Sequence, residues 1–298
     1  MDRRHDHDGA PQQGHHHHGQ HGAAGHAHSV AEEAGLAELL DLDGEVLHGY
    51  LEEVVDWVAA ATGPGVRRVV DLGAGTGTGT VALARRFPAA EVVAVDASEA
   101  MLARLRDAAA AADVAGRVRT VVADLDGAWP GGVDVDLAWA ALSLHHVADP
   151  ARLLGQVREA LRPGGLLAVT EMVSATRYLP DDLGIGRPGL EARCEAALDA
   201  QPMPFDRYPR WEDALDAAGF TEVERRDFSV TPARPEPATG RYARAALARL
   251  RSRLTDDLDA DDLTTLDLLL DDSGPHSLLR RTDLVVRGRR TGWLARRP

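Results

Sequence analysis

The spacing of apolar residues divides the chain into helical and strand-like segments. In residues 45–62 the apolar positions recur at helical spacing, and Gly63-Pro64-Gly65 stops the run. Beyond it, short runs rich in Val, Leu and Ala alternate with helical stretches. The predicted strands are residues 68–75, 91–98, 117–125, 133–141 and 165–172. This alternation predicts a mainly parallel sheet with helices on both faces, whose ligands bind beyond the carboxyl ends of the strands.

The same pattern predicts how the chain is organised. Order is expected to begin near Ser29, because Glu32 three positions later suits a helix N-terminus. Residues 238–271 have a helical pattern and become strongly acidic, which is typical of a solvated helical face. The closing segment 282–296 is expected to form one or two strands at the sheet edge. We therefore divide the chain into cap helices (30–65), a core (66–173, completed by 211–231 and 282–298) and two substrate-cap insertions (174–210 and 232–281).

The first residues have an unusual composition. Nine of the 13 His residues lie within the first 28 positions, among Gly, Ala and Gln. We expect residues 1–29 to be a disordered tail, because they offer little apolar surface to bury. Imidazoles can bind divalent transition metals, but a flexible tract does not fix a coordination geometry. No metal cofactor is therefore expected.

Composition excludes several kinds of chemistry. All 33 basic residues are Arg, and the sequence contains neither Lys nor Asn. A phosphate-binding loop of the Walker type and a lysine Schiff base are impossible without the Lys amine. The formal charge of −14 disfavours nucleic acid as a partner. No apolar run approaches the roughly 18 residues of a membrane span. With the lone Cys194 and no secretory signal, this predicts a soluble protein of the cytoplasm.

A glycine-rich motif follows the first predicted strand. Asp71-Leu72-Gly73-Ala74-Gly75-Thr76-Gly77 lies between that strand and a helix, where glycines let a ligand approach the backbone. A dinucleotide fingerprint needs Gly-x-Gly-x-x-Gly, but the sixth position is Thr78 or Thr80. The motif therefore gives NAD little support. An acidic residue that opens a Gly-x-Gly turn suits a ligand with an amine or a sulfonium and no phosphate.

Two more acidic residues follow predicted strands. Asp96 ends the second strand, 25 residues beyond Asp71, and a carboxylate there can accept hydrogen bonds from both ribose hydroxyls. That position also fits NAD. Asp124 follows the third strand, where its carboxylate can accept from the exocyclic amine of adenine. Met101 suits either contact with the adenine face or ordinary helix core.

Together with the turn at 161–165, these motifs resemble the class I S-adenosylmethionine (SAM)-dependent methyltransferases over residues 66–172. Residues 136–147, with Leu144-His145-His146, are similar to the small-molecule members. The resemblance implies an α/β fold with a Rossmann-like, seven-stranded, mostly parallel sheet whose last strand is antiparallel. It also implies SAM as cofactor. The implied SAM-binding residues are Asp71, Gly73, Gly75, Gly77, Asp96, Ala97, Ser98, Met101, Asp124, Leu125, Trp139 and Ala140.

Methyl transfer is an in-line displacement, so positioning is expected to supply most of the acceleration. An imidazole of near-neutral pKa can remove a proton from a phenol, hydroxyl or amine. His145 is the first candidate base, followed by His146 and by Glu171 at the end of the fifth strand. Each is also compatible with a merely orienting role. The candidate acceptor-lining residues, equally compatible with structural roles, are His48, Tyr50, Arg187, Tyr208 and Trp211.

The expected function is SAM-dependent methyl transfer to O, N or C of a small organic acceptor, such as a phenolic or quinone-like secondary metabolite. Two alternatives stay open. One is a noncatalytic SAM-binding or regulatory protein. The other is a metalloid methyltransferase that uses the His-rich tail, which the single Cys disfavours because it offers little soft-ligand capacity. Neither nucleic acid nor membrane is an expected partner, and the sequence specifies no oligomeric state.

Overall fold

The computed structural model describes residues 30–130, 132–202, 210–234 and 236–298, so the His-rich tail and Tyr208 lie outside the described residues. A seven-stranded sheet with the order β3-β2-β1-β4-β5-β7-β6 forms the centre of the fold. Its strands are β1 (Arg68–Leu72), β2 (Glu91–Asp96), β3 (Val118–Val122), β4 (Val135–Ala141), β5 (Leu161–Met172), β6 (Thr221–Ser229) and β7 (Arg289–Arg296). Strands β1 to β5 pair in parallel. This confirms the predicted α/β fold.

Helices cover both faces of the sheet. They are α1 (Val30–Val46), α2 (His48–Thr62), α3 (Thr78–Arg86), α4 (Glu99–Ala111), α5 (Pro150–Ala160), α6 (Leu190–Ala200), α7 (Glu212–Ala217), α8 (Thr239–Arg253) and α9 (Ala260–Leu270). None of the described helices combines the length and the apolarity that a bilayer crossing requires.

The sheet separates two apolar cores, because side chains alternate along each strand. Leu137 and Trp139 of β4 belong to the core formed with α2, α3, α8 and α9. Ala138 and Ala140 belong to the opposite core, formed with α5 and α7. Both faces of the central strands are therefore buried, which explains their nearly continuous runs of Val, Leu and Ala.

The last strand corrects one expectation. Strand β7 is antiparallel, as predicted, but it does not lie at the sheet edge, because it pairs with β5 on one side and β6 on the other. Strand β6 is the edge, and most of its side chains are exposed. The charged sequence of β6 suits an edge, where charges deter pairing with other chains. The apolar centre of β7 needs cover on both faces, and Trp293 is fully buried there.

The acidic segment is mostly exposed, as predicted, with one exception and a break in its helix. Its helical pattern breaks into α8 and α9, with a turn over residues 254–259 between them. Asp262 of α9 is only 2% exposed, so it does not belong to a solvated face. Its carboxylate accepts hydrogen bonds from Arg187 (2.8 Å) and Arg193 (2.7 Å). Two guanidinium groups supply the partners that a buried charge needs, and they tie α9 to the region of α6.

Candidate functional site

The glycine-rich loop between β1 and α3 places backbone without side chains at the carboxyl edge of the sheet. Gly73 has a φ of 72°, and a Cβ there would collide with the side chain of Ser143. Ser143 donates a hydrogen bond to the backbone carbonyl of Leu72 (2.6 Å) and so holds this close approach. Gly75 also has a positive φ, 53°. Only glycine adopts such conformations without strain, which explains the motif.

Asp96 joins this loop to the end of β2. The backbone N–H groups of Gly75 and Ser98 donate to its carboxylate oxygens, at 2.8 and 2.9 Å. These two bonds fix the carboxylate beside the glycine loop. A carboxylate has about four acceptor positions, so the group keeps capacity for a diol.

Asp71 lies deeper and is only 2% exposed. The hydroxyl of Thr80 donates to Oδ2 at 2.6 Å. Burial raises the pKa of Asp71 to about 7; the Thr80 hydrogen bond opposes this rise, and the Asp96 carboxylate adds to it. Such a carboxylate is stabilised in its charged form when a cation comes next to it.

Trp139 lies beside Asp71 in the β1–β4 pairing. Its Nε1 is buried and has no hydrogen-bond partner among the described residues. A Cβ on Gly79 would lie 3.1 Å from this nitrogen and 3.5 Å from Asp71 Oδ2, so the glycine keeps side-chain atoms away from both groups. The β1–β4 ladder ends at Trp139, and the backbone of Ala140 lies beyond it.

The end of β3 completes this edge. Asp124 is exposed, and its Oδ1 accepts from the N–H of Asp126 at 2.8 Å, while Leu125 is half-buried. Ala97 is exposed as well. The Ser98 hydroxyl caps α4 by accepting from Met101 N–H (3.1 Å) and donates to Glu33. Met101 is 5% exposed, which leaves both of its predicted roles open.

The chemical types of these groups match the polar groups of SAM. Three carboxylates (Asp71, Asp96 and Asp124) lie at or just after the ends of three adjacent strands, and they match an ammonium, a ribose diol and an adenine amine. The glycine loop supplies backbone without side chains, and the Trp139 Nε1 is a buried donor without a partner among the described residues. Strands that end side by side explain why motifs distant in sequence meet here.

Helix α1, part of the predicted N-terminal cap, packs against the glycine loop more closely than the sequence indicated. A Cβ on Gly75 would lie 3.2 Å from Leu40, and one on Gly44 would collide with Thr78 at the start of α3. The N-terminal cap therefore packs directly on the glycine loop. The glycine inside a helix, Gly44, was the available sign of this close approach.

The predicted basic groups come together at the same edge. Residues Leu144–His146 form a short 3₁₀ turn after β4, and Glu171 ends β5 beside it. His145 Nδ1 lies 2.7 Å from Glu171 Oε2, with the two side chains 8% and 1% exposed. The second oxygen, Oε1, is buried without a hydrogen-bond partner in the described part of the chain. The rings of His145 and His146 lie 4.0 Å apart.

This pairing defines which nitrogen of His145 can act. If the Nδ1 proton is donated to the Glu171 carboxylate, the basic lone pair lies on Nε2. A buried carboxylate also stabilises the imidazolium that forms when Nε2 takes a proton. The geometry therefore favours His145 as the group that moves a proton and Glu171 as the group that orients it.

The predicted acceptor-lining residues are placed apart. His48 is exposed, and its Nδ1 lies 3.1 Å from the backbone carbonyl of Glu45. Arg187 is paired with Asp259 and Asp262. Trp211 packs in the core on the α5 and α7 face. Tyr50 is buried near the carboxyl end of β5, where its ring contacts Phe228 and Arg290.

Tyr50 belongs to a cluster that the sequence did not predict. We call Asp43, Tyr50, Tyr178, Tyr242 and Arg290 the tyrosine–arginine cluster. Arg290 donates to Asp43 through Nη2 (2.5 Å) and Nη1 (3.2 Å), and the Tyr242 hydroxyl donates to Asp43 Oδ1 at 2.6 Å. The rings of Tyr178 and Tyr242 meet edge to face at 5.0 Å. Three of the four tyrosines of the chain lie here, so their rarity was the available sign.

An open groove of about 630 Å³ runs along the outer side of α1, between Arg104 of α4 and Arg241 of α8. Its charges are already paired, Asp41 with Arg104 and Glu45 with Arg241. We do not assign it to the site, because none of the motif residues lines it.

Comparison with known proteins agrees with this geometry. The family model described as a methyltransferase domain matches residues 69–165. An uncharacterized methyltransferase of Mycobacterium bovis is 35% identical over 210 residues, which cover 67% of this chain and 79% of that protein. A trans-aconitate 2-methyltransferase of Acidovorax sp. is 38% identical over 129 residues, 43% of this chain and 44% of that protein. The chain thus spans less than half the length of the latter relative.

A solved structure shows the same fold. An O-methyltransferase family protein from Burkholderia thailandensis superposes with a TM-score of 0.51 at 22% identity, covering 67% of this chain and 57% of that chain. At this identity the likeness concerns the fold alone.

Proposed function

The chain belongs to the class I SAM-dependent methyltransferases, and we propose that it transfers a methyl group from SAM to a small organic acceptor. Phenolic or quinone-like acceptors are our first candidates. The observation that carries the proposal is the buried His145–Glu171 pair beside the three-carboxylate edge. A noncatalytic SAM-binding protein has no use for a proton acceptor at that place.

Each residue at the carboxyl edge of the sheet is assigned to one part of SAM. We assign Asp71 to the ammonium of the methionine moiety, directly or through water, and Asp96 to the ribose hydroxyls. Asp124 and Leu125 frame the adenine, and the backbone of Trp139 or Ala140 offers a carbonyl. SAM, when bound, supplies a methyl group that its sulfonium charge activates.

Proton removal is assigned to His145. Nε2 accepts the proton of an acceptor hydroxyl as the oxygen becomes nucleophilic, and Glu171 stabilises the resulting imidazolium. The pair is almost wholly buried, so water competes little for either group. His146, whose ring lies 4.0 Å from that of His145 at an interplanar angle of 45°, helps to fix the ring of His145.

A carboxylate is a second candidate for the methylated group. It is favoured by the likeness to a protein named trans-aconitate 2-methyltransferase. A carboxylate is already ionised at neutral pH, since its usual pKa is about 4, and it needs no base. The two candidate acceptors thus differ in whether methyl transfer requires His145 as a base. We place the reaction in the cytoplasm, which the lone, buried Cys194 supports.

The test is transfer of label from methyl-labelled SAM to a panel of phenols and carboxylic acids. With a phenol, His145→Ala and Glu171→Gln are expected to lower kcat by about 10²- to 10⁴-fold, the usual contribution of a positioned base. SAM affinity is expected to stay unchanged. The matched control is His276→Ala, at a half-buried histidine in the loop after α9.

The outcomes separate the candidates. Transfer to a carboxylic acid that His145→Ala leaves unaffected favours the second candidate. SAM binding with no label in any acceptor contradicts the proposed enzyme and favours the noncatalytic alternative.

A further inference from the structure

The Asp43 carboxylate lies in a pocket of hydrogen-bond donors. Arg290 reaches it with two nitrogens, and Tyr242 donates its hydroxyl to the same oxygen. Burial raises the pKa of Tyr242, as it does that of Tyr178, so both phenols stay protonated and able to donate. The Tyr50 ring lies 4.8 Å from the guanidinium and covers it. A planar guanidinium with a hydroxyl beside it is the arrangement that binds carboxylates well.

The two partners differ in how firmly they are held. Arg290 lies on β7, which is paired on both sides, and its side chain is 6% exposed. Asp43 lies on the peripheral helix α1, and its side chain is 23% exposed. Asp43 is therefore the less enclosed partner, and a carboxylate that replaced it would enter a cationic, donor-lined site.

The cluster also contains donor capacity that Asp43 does not use. Arg290 Nε and Thr170 Oγ1 are buried without a well-formed hydrogen bond among the described residues, although the Tyr50 hydroxyl interacts with both Thr170 and Arg290. Both belong to the carboxyl end of β5 and the start of β7, where Met172 pairs with Arg290 and Thr170 with Gly292. A ligand with more oxygens than the Asp43 carboxylate would satisfy them.

The position connects this cluster to the proposed reaction. Glu171 pairs with Thr291, the neighbour of Arg290 in the chain. The guanidinium and the His145–Glu171 pair therefore lie at the same edge of the sheet, although their strands direct them to opposite faces. A molecule that contacts both must therefore span the edge from one face of the sheet to the other.

Building on the proposed methyl transfer, we propose that Arg290 is a specificity residue that binds a carboxylate of the acceptor. The Asp43 carboxylate occupies the place of that group when no acceptor is bound. The acceptor class is then a phenolic acid, held by its carboxylate at Arg290 and methylated on its hydroxyl at His145. The exchange replaces one carboxylate by another, so the buried guanidinium is never left without a counter-charge. The tyrosine rings supply an apolar wall for the aromatic part.

The test compares 4-hydroxybenzoate with its neutral analogue 4-hydroxybenzamide. Binding of each to the full chain loaded with S-adenosylhomocysteine is measured by calorimetry. Wild type is expected to prefer the acid, and Arg290→Gln to lose at least about tenfold in acid affinity, the low end for a hydrogen bond to a charged group. Asp43→Asn is expected to bind the acid about tenfold more tightly, because the internal competitor is weakened.

Matched controls come from an exposed ion pair between α1, which carries Asp43, and α4. Asp41→Asn and Arg104→Gln remove Asp41–Arg104, whose side chains are 48% and 46% exposed, and are expected to leave both affinities unchanged. Circular dichroism melting checks that each variant is folded. Should Arg290→Gln not fold, Arg290→Lys keeps the charge without the fork geometry and is expected to lose most of the acid preference.

Equal affinity for acid and amide in wild type, binding of neither, or an Asp43→Asn variant that gains no acid affinity would overturn the proposal. No methyl is transferred in this measurement. Its failure is therefore distinguishable from failure of the proposed function, which the labelled-SAM assay reports separately.

Discussion

The two halves of the sheet edge are built in different ways. The proposed cofactor half uses β1, β2 and β3, and its residues follow one another within a short stretch of sequence from Asp71 to Asp124. The proposed acceptor half uses β5 and β7 with three helices of the caps. Its central pair, Asp43 and Arg290, is separated by 247 positions.

The polar groups of the two halves also differ in their partners. Asp96 accepts from backbone N–H groups of neighbouring loops. Asp43 and Arg290 are side chains that depend on each other. The cofactor half is therefore set by local backbone geometry, whereas the acceptor half exists only when the caps are packed.

Removing Asp43 tests this dependence with the largest expected effect. Asp43→Ala leaves Arg290 buried without its counter-charge, which is expected to lower the free energy of unfolding by about 3–5 kcal/mol. Urea denaturation measures the loss. Glu45→Ala is the control, because the Glu45–Arg241 pair is exposed and such pairs contribute about 1 kcal/mol or less. Equal losses in both variants would mean that the cluster does not hold α1.

Removing Asp96 tests the cofactor half. Asp96→Ala is expected to weaken SAM binding by about 1.5–3 kcal/mol, the range for hydrogen bonds to a charged group. Calorimetric titration gives the affinity, and Asp107→Ala, at an exposed position of α4, serves as control. An unchanged affinity would refute the assignment of Asp96 to the ribose.

The pH dependence of SAM binding tests Asp71. Its pKa of about 7 means that acidification protonates the carboxylate that should meet the cofactor ammonium. SAM affinity is expected to fall about tenfold between pH 8 and pH 6, as linkage to one group requires. The stability of the cofactor-free chain is expected to change with pH in the opposite direction. Because the pKa of Asp71 is raised in the folded state, the free energy of unfolding falls as the pH rises, until about pH 7. Asp71→Asn should abolish the dependence of affinity on pH, and a variant that keeps it would point to another group.

The sequence predicted the sheet correctly and marks the candidate cofactor residues, because both leave local patterns in the chain. Glycines mark the loop at Gly73 and Gly75, and carboxylates mark the ends of β1 and β2. The position of β7 in the sheet was predicted wrongly, although the sequence indicates the correct order. Strand β6 carries the charged residues typical of an edge strand, and β7 carries the apolar residues typical of an interior strand. Attention to the charge of both strands would have corrected the order.

Other features left no local mark. The burial of Asp262 depends on Arg187 and Arg193, which precede it by 75 and 69 positions. Asp43 looks like any exposed acid of an amphipathic helix until Arg290 and Tyr242 are placed beside it. Such pairs arise from tertiary packing, so the Asp43–Arg290 pair could be found only in the folded chain.

The most direct test of the account is a crystal structure of the chain with S-adenosylhomocysteine. We predict the ribose within hydrogen-bond distance of Asp96, the homocysteine amine beside Asp71 and the sulfur facing the His145–Glu171 pair. Ligand density away from the loop at 73–77, or a ribose that does not contact Asp96, would contradict the central claim that these strand ends form one cofactor site.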